Sequence, residues 1–566
     1  MTKNKSTDES KDSAPHPSGR LGERLMERGI LSLRQFQFAM QKQSVEKLRL
    51  GLLLIRYGLV REDVLVRELA ARKSIPFLTA DLFPLPDADV LRQFNRELCL
   101  LKGFLPIKRE GDELEVLLGD GDEASVSELV MHRTGLKCRF LQGAFSRVSQ
   151  HIRESYYFTQ NSIESLVNQE LRRLSADADH AISPDKCLDY LLHWAVHERA
   201  TDIHLTPSAT SLHLFFRIDG VLRPMIALPL ALRRLIVFIK LTSEMDISEQ
   251  RRPQDGSFHS MILDQPYAVR VSIIYTEFDE RVVLRLLPER GELSNLRQLG
   301  FLEEDVEHLE QIFLRPAGLV LITGPTGSGK STTMHAALQI QSLVESNVLT
   351  VEDPIEYRVP GSAQTEVNRH AGYDFSNALR FFLRHDPDVI LIGEIRDAET
   401  AQAAIEASAT GHLVLSTLHA PNVFGVVPRL SLLGLEPQTV ADNLIAIMSQ
   451  RLLRRNCPHC SEKAVLTPGE RKWLGGGGDE TDARRGAGCK VCGFSGYHGR
   501  LPVYEILELT QSLANLIADR AGREAIYRKT IESGFGSMLE QAKWRVRNGQ
   551  TTPEEVRRVI GWGVEE

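Results

Sequence analysis

The chain has 566 residues, 42% of them hydrophobic and 25% charged, with a formal net charge of −7. Those values allow roughly four domains of about 150 residues with sizeable cores, and they give no support to a nucleic-acid-coating surface. No apolar run approaches the roughly 18 residues of a membrane span. The best candidate, LPLALRRLIVFIKL at 228–241, is broken by Arg233, Arg234 and Lys240.

Residues 1–19 carry no apolar segment of the kind a signal peptide needs and are expected to be a disordered tail on a cytoplasmic protein. A first N-terminal domain is expected over 20–150. Its opening, residues 20–72, reads as short amphipathic helices separated at Gly29, at a 44–48 spacer and at Gly58. Its remainder mixes strand-like FLPIKR, LEVLLG and KCRFLQG with helical stretches, a compact α+β unit. A linker follows over 151–186, ending in SADADHAISPD. Over 187–290 a helix leads into TDIHLTP, LHLFFRIDG, VRVSIIYT and RVVLRLL, whose alternation predicts a mostly β second domain. From 296 to 456, LVLIT, SNVLTVED, DVILIGE and GHLVLSTLHA alternate with helical runs, the rhythm of a parallel sheet with crossover helices. A cysteine-rich insert at 457–495 and a helical region at 496–566 complete the expected order.

LVLITGPTGSGKSTT sets Gly324, then Gly329, Lys330 and Ser331 between an apolar strand and the helical run MHAALQIQSLV, the context of a P-loop. The loop Gly324, Pro325, Thr326, Gly327, Ser328 and Gly329 would cradle phosphate oxygens at the helix start through the N–H groups of its residues other than proline, and the site continues through Thr332. Lys330 is placed for the β- and γ-phosphates and Ser331 for Mg²⁺, so ATP and Mg²⁺ are the expected ligands. DVILIGEIRD is an apolar strand ending in an acid, with Gly393 where a metal-binding Asp is usual and Glu394 one residue on. LTVEDPIEY offers Glu352, Asp353 and Glu356, any of which can be a general base or cap a turn.

Seven cysteines are too few for a disulfide scaffold of this size. Cys99, Cys138 and Cys187 are scattered and read as small buried residues. CPHC and CKVC place Cys457, Cys460, Cys489 and Cys492 as two C-x2-C pairs, the spacing of a closed four-thiolate structural Zn²⁺ site; His459 and His498 lie near and are not needed. The glycine run at 475–478 between the pairs reads as a loop.

Together VEDPIE, DPDVILIGEIRD and TGHLVLSTLHA resemble the Asp box, Walker B and His box of the secretion ATPase superfamily, the type II secretion and type IV pilus motors. TDIHLTP, FRIDGVL, RPQDG and VVLRLL resemble that family's second N-terminal domain. The resemblance implies an α/β fold: a RecA-like P-loop ATPase core, preceded by a β-rich second and a helical/α+β first N-terminal domain, with a zinc-binding insert. It implies that Glu356 orients or deprotonates the attacking water and that Glu394 holds Mg²⁺ through water. It also implies that His412 and His419 sense the γ-phosphate, and that Arg217, Arg270 and Arg285 supply charge to the nucleotide across a domain gap. A homo-hexamer is implied, peripheral to the inner membrane through platform and docking proteins, that drives pseudopilus or pilus assembly. The zinc insert resembles that of assembly and secretion motors rather than retraction motors. Ser257 follows RPQDG where the family usually has Arg, and Ala420-Pro421-Asn422 replaces the common Thr-Asn-Asp.

Two other classes compete. A nucleic-acid helicase or translocase with a zinc finger is disfavoured by the acidic balance and by the lack of a basic, aromatic-interleaved segment. A regulatory protein with little turnover is disfavoured by the presence of Lys330, Glu356 and Glu394 together.

Finally, RLGERLMERG at residue 20 returns as RLGLLLIRYG at residue 49. Over two 24-residue copies, ending at Gln43 and Arg72, five identities survive: Arg20/Arg49, Leu21/Leu50, Gly22/Gly51, Leu25/Leu54 and Gly29/Gly58. Phe36 and Met40 in the first copy answer to Leu65 and Leu69 in the second. The pattern resembles the tandem cyclic-di-GMP-binding motif of some secretion and pilus ATPases. A two-fold ligand suits two similar half-sites, each with a guanidinium and a glycine near a helix start. A duplicated helical hairpin that binds nothing would show the same leucines and glycines.

Overall fold

The computed structural model describes residues 21–160, 184–230, 233–289, 295–341, 345–475 and 482–561. The expected tail, Arg20, the middle of the expected linker and the glycine run past Gly475 lie outside them. The chain divides into two compact units, Met1–Ile152 and Arg153–Glu566.

The first unit opens with α1 (Leu21–Glu27), α2 (Leu33–Glu46), α3 (Leu50–Arg56) and α4 (Glu62–Lys73). The two repeat copies fold alike. Gly29 and Gly58 leave α1 and α3 with φ of 68° and 64°, a left-handed turn that glycine adopts without cost. After each, two N–H groups return to one carbonyl: Ile30 and Leu31 donate to Leu25 O, Leu59 and Val60 to Leu54 O. Leu25, Leu54 and Leu65 are buried in one core with Ala39. The glycine of each RLG lies where helices touch. A Cβ on Gly22 would lie 2.3 Å from Phe36 Cε2, and one on Gly51 3.1 Å from Leu65 Cδ2. The expected 44–48 spacer is shorter in the fold, since α2 runs to Glu46 from a Ser32–Gln35 capping box. Beyond α4, β1 (Phe104–Glu110), β2 (Glu113–Leu118) and β3 (Lys137–Gln142) form a sheet in that order, antiparallel then parallel.

In the second unit, the described ends of the expected linker are helical. The helix Phe145–Gln160 runs past its start, and another, Pro184–His197, spans its end. Aromatic residues explain this: Tyr157 stacks on His193 with centroids 4.3 Å apart, and Phe158 on His197 at 4.0 Å. A six-stranded antiparallel sheet follows. Its strands are β4 (Ala200–Pro207), β5 (Ser211–Ile218), β6 (Val221–Pro229), β7 (Gln254–Ile262), β8 (Gln265–Tyr275) and β9 (Glu280–Pro288), ordered β6-β5-β4-β9-β8-β7. The stretch that most resembled a membrane span packs on this domain as the helix Arg233–Thr242. Its Lys240 is buried and bonds Glu280 Oε1 at 2.8 Å and Glu249 O at 2.6 Å, satisfying a charge that would otherwise be costly inside. Among the described residues no helix is long and apolar enough to cross a membrane.

The third sheet has seven strands: β10 (Gly318–Thr323), β11 (Val348–Glu352), β12 (Ala363–Glu366), β13 (Val389–Ile395), β14 (Leu413–Leu418), β15 (Leu444–Asn456) and β18 (Tyr497–Glu508). The order is β12-β11-β13-β14-β10-β15-β18, parallel except for the last pair. Helices cover both faces, so β10 and β14 are buried along their whole length, as their unbroken apolar runs require. β16 (Ser461–Lys463) and β17 (Arg484–Gly486) form a small ribbon in the insert between β15 and β18. The expected helical region at 496–566 is thus corrected at its start: twelve residues form β18, zipped antiparallel along the 13-residue β15, and helices follow only from Gln511. The alternative partner that makes RLPVYEILEL a strand lies tens of residues upstream, beyond the reach of local periodicity.

Candidate functional site

β10 delivers the chain to the P-loop, and the helix Lys330–Ile340 carries it away. Gly329, with φ 90°, must be glycine twice over: the φ is left-handed, and a Cβ would lie 2.8 Å from Gln450 Nε2. That Gln450, on neighbouring β15 and 2% exposed, staples the loop. Its Nε2 donates to Ser328 O at 2.8 Å and its Oε1 accepts from Thr333 Oγ1 at 2.9 Å. Sequence reading missed it; its one signal was a polar residue in the apolar run LIAIMSQ. Lys330 Nζ donates to Gly324 O and Pro325 O at 3.0 and 3.1 Å. Burial holds its pKa below the ordinary lysine range, while Glu394 pulls the other way.

A pocket of about 440 Å³ opens over this loop. Thr326, Gly327, Gly329, Lys330, Ser331 and Thr332 line it from the P-loop, with Glu352, Asp353, Glu356, Glu394 and His419 from the ends of β11, β13 and β14. Gly324, Pro325 and Ser328 stand behind this lining, and Gly324 and Pro325 accept from Lys330 there.

The carboxylates differ in what they are free to do. Glu352 is buried and committed: it accepts from His335 Nε2 at 2.9 Å, Thr350 Oγ1 at 2.7 Å and Gln364 Nε2 at 3.0 Å. Burial works to raise its pKa, but these bonds, His335 first, leave it below the usual carboxylate range. Asp353 lies 3.4 Å from Arg369. Glu356 is exposed and faces the pocket, so of the three it has a proton-accepting group turned toward a ligand. Glu394 pairs with Arg396 and lies 3.6 Å from His419 Nε2. The glycine before it sits in a tight place, since a Cβ on Gly393 would lie 3.3 Å from Phe375 Cε1 and 3.4 Å from Glu352 Cα, so that the neighbours would have to give by a few tenths of an ångström.

The β-rich domain adds Arg270, Arg285 and Leu287 to the same pocket. Arg217 is not among the lining residues; its guanidinium faces Asp202 at 3.7 Å and donates to Gly220 O. His412 is not there either. It stands at the N-terminal end of β14 and the P-loop at the C-terminal end of β10, one six-residue strand of about 20 Å away. Its ring lies 3.0 Å from Ala407 O. The expectation that it senses the γ-phosphate of this pocket is therefore corrected, while His419 keeps its place. Arg500, on β18 just beyond the cysteine insert, also lines the pocket and was not anticipated.

The four expected cysteines converge, with all Sγ atoms within 4.8 Å of one another. Cys457–Cys489 and Cys460–Cys492 are each 3.9 Å apart, and Cys489–Cys492 3.8 Å. A tetrahedron with Zn–S bonds of about 2.3 Å has edges of about 3.8 Å, so the set fits one such ion. Burial raises the Cys457 and Cys460 thiols, whereas at Cys492 burial is outweighed by the N–H groups of Cys489 and Gly496 together with the neighbouring Cys489 and Cys460 thiols, which bring it to about 7.

In the first unit the repeat residues sort by what they do. Leu21, Leu50, Leu25 and Leu54 join the core; Gly22 and Gly51 admit Phe36 and Leu65; Gly29 and Gly58 turn the chain. Gln43 Nε2 donates to Leu48 O at 3.1 Å, and Arg72 is exposed in the last turn of α4. Arg49 is exposed at the N-cap of α3, where its side chain makes no capping bond.

The model of the family described as "Type II/IV secretion system protein" matches residues 177–558. The chain belongs to that family. It is a secretion ATPase with an α/β P-loop core, and a second model, the MshEN domain, matches residues 74–161. This secretion ATPase is 33% identical over 560 residues to the type IV pilus assembly ATPase PilB of Myxococcus xanthus, covering 95% of this chain and 98% of the relative. It is 41% identical over 376 residues to the type II secretion system ATPase E of Vibrio cholerae, covering 66% and 75%. Among solved structures, the Legionella pneumophila ATPase DotB shares the fold, with a TM-score of 0.50 at 21% identity over 68% of this chain and 97% of that one.

Proposed function

We propose that this secretion ATPase hydrolyses Mg²⁺-ATP in the pocket above the P-loop and uses the cycle, as a hexamer at the inner membrane, to assemble a pilus or pseudopilus. The observation that carries the reading is the convergence in one pocket of Lys330 and Ser331, Glu356 and Glu394, and two arginines from a different domain. Lys330 and the loop N–H groups bind the phosphates; Ser331 and, through water, Glu394 hold Mg²⁺; Glu356 orients the attacking water; His419 contacts the phosphate end. Arg270 and Arg285 meet the charge that develops in the transition state. Because the walls belong to two domains, closure on ATP and opening after hydrolysis would move one domain against the other. Pilus assembly and secretion both remain represented among its relatives, PilB and ATPase E.

The four cysteines would hold a structural Zn²⁺, closed to substrate by its fourth thiolate. The tandem RLG repeat, next to a region matched by the MshEN domain model, would bind cyclic-di-GMP, with Arg20 and Arg49 on its guanines or phosphates. Supporting this, packing or turn geometry accounts for the shared leucines and glycines, while the Arg49 side chain is exposed and makes no capping bond at the start of α3. Platform and docking proteins of the membrane apparatus complete the assembly. The test of the motor is Glu356→Gln in the purified full chain: turnover should fall by orders of magnitude with ATP binding retained. Ordinary turnover in that variant would remove Glu356 from the mechanism and the pocket from its role.

A further inference from the structure

The β-rich sheet carries a row of charge across its strands. In register, Arg217 on β5 faces Asp202 on β4, Asp202 faces Arg285 on β9, Arg285 faces Arg270 on β8, and Arg270 faces Ser257 on β7. Cross-strand neighbours share a face, so the side chains of this row project together. Arg285 and Arg270 are like charges directly opposite one another, an unfavourable pairing unless something offsets it. Asp202 is that group. Its side chain is 5% exposed, its Oδ1 accepts from Arg285 Nε at 2.8 Å, its Oδ2 accepts from Thr201 Oγ1 at 2.7 Å, and Arg217 Nε lies 3.7 Å away on the other side.

The atom that Asp202 grips matters. A guanidinium held by Nε keeps both terminal nitrogens for a second, bidentate contact. The Arg285 side chain is 57% exposed and lines the nucleotide pocket beside Arg270. We propose that Asp202 is a positioning residue: it clamps Arg285 by Nε so that the terminal nitrogens face the nucleotide phosphates, while Arg217, outside the pocket, balances the charge of the clamp. The proposal rests on reading this pocket as the site of ATP hydrolysis. It assigns the three arginines of the domain different work, with Arg270 and Arg285 at the ligand and Arg217 behind the carboxylate.

Steady-state ATPase kinetics on the full chain test it. Asp202→Asn keeps the shape and removes the charge; kcat should fall about tenfold, the scale expected when a catalytic group is misplaced by less than about 1 Å, with a smaller change in KM for ATP. In an Arg285→Ala background Asp202→Asn should cause no further loss. Arg285→Lys, which keeps a positive charge but has no Nε fork to grip, should fall to the level of Asp202→Asn, and this arm serves if Asp202→Asn does not fold. Wild-type turnover in Asp202→Asn or Arg285→Lys overturns the clamp, as does a full additional loss when Asp202→Asn is added to Arg285→Ala. Wild-type turnover in Arg285→Ala overturns the arginine contact and the clamp together, whereas the pocket reading itself stands or falls separately on Glu356→Gln.

Discussion

Gly22→Ala separates the packing content of the RLG repeat from any ligand it binds. In α1 the substitution gains about 1 kcal/mol of helix propensity. Against that, the new Cβ would lie 2.3 Å from Phe36 Cε2 and 2.9 Å from Cδ2, inside contact with a ring packed on the helical core. Overpacking of this kind costs about 1–3 kcal/mol, and an approach as short as 2.3 Å belongs to the upper half of that range, so with the propensity gain subtracted the first unit should lose about 1–2 kcal/mol net. Gly51→Ala is the control built into the same fold. Its Cβ would meet Leu65 Cδ2 at 3.1 Å, the end of a flexible side chain that can give by a few tenths of an ångström. There the propensity gain should cancel or exceed the strain. Urea unfolding of the fragment 1–152, with a slope of about 2 kcal/mol per molar, should show the Gly22→Ala midpoint lowered by roughly 0.5–1 M and the Gly51→Ala midpoint unchanged or raised. Replacing Phe36 by Leu, as the second copy has, should shrink the Gly22→Ala penalty to that of Gly51→Ala. Equal losses at the two glycines would refute the reasoning, because nothing but the helix contact distinguishes them.

Cyclic-di-GMP titrated into the same fragment should bind saturably, and Arg49→Ala should abolish binding; no signal at tens of micromolar ligand, roughly −6 kcal/mol, would end the regulatory reading. Purified in reducing, chelator-free buffer, the chain should carry one zinc, and Cys489→Ser should destabilise the insert with little change in nucleotide affinity; a metal-free preparation with an intact insert would contradict this. Acid should weaken the second unit. His197 is held at about 4 by burial, then by Arg199, and His498 at about 4 by the same two causes in the same order. Both are depressed below an unfolded value of about 6.5, so the unfolded chain binds the extra protons. The stability from keeping them neutral is full above about pH 6.5 and is lost as pH falls toward about 4; the His197 residue is exposed, so solvent screening holds its share to about 1 kcal/mol or less. Thermal midpoints between pH 7.5 and 4.5 should therefore fall less steeply in His197→Phe, and parallel curves for variant and parent would show that His197 does not contribute.

The features legible in the chain were those whose parts are neighbours in sequence. A P-loop needs a strand, a turn and a helix in succession, and Gly324 to Ser331 carry all three. Each C-x2-C pair sets two thiols side by side, and the repeat at 20 and 49 encodes a helix contact and a turn within each copy. Where a side chain's surroundings come from distant segments, only the folded chain decided. Six residues separate His412 from His419, yet as an extended strand they carry the two to its opposite ends, so one reaches the pocket and the other does not. Arg217, Arg270 and Arg285 look alike as sequence. Antiparallel register set them on either side of Asp202 and turned two of them toward the P-loop. Gln450 reaches the P-loop and Arg500 the pocket because β15 pairs with β10 and β18 with β15, and hydrogen bonds between strands, unlike helical ones, join residues whose distance along the chain no local pattern records.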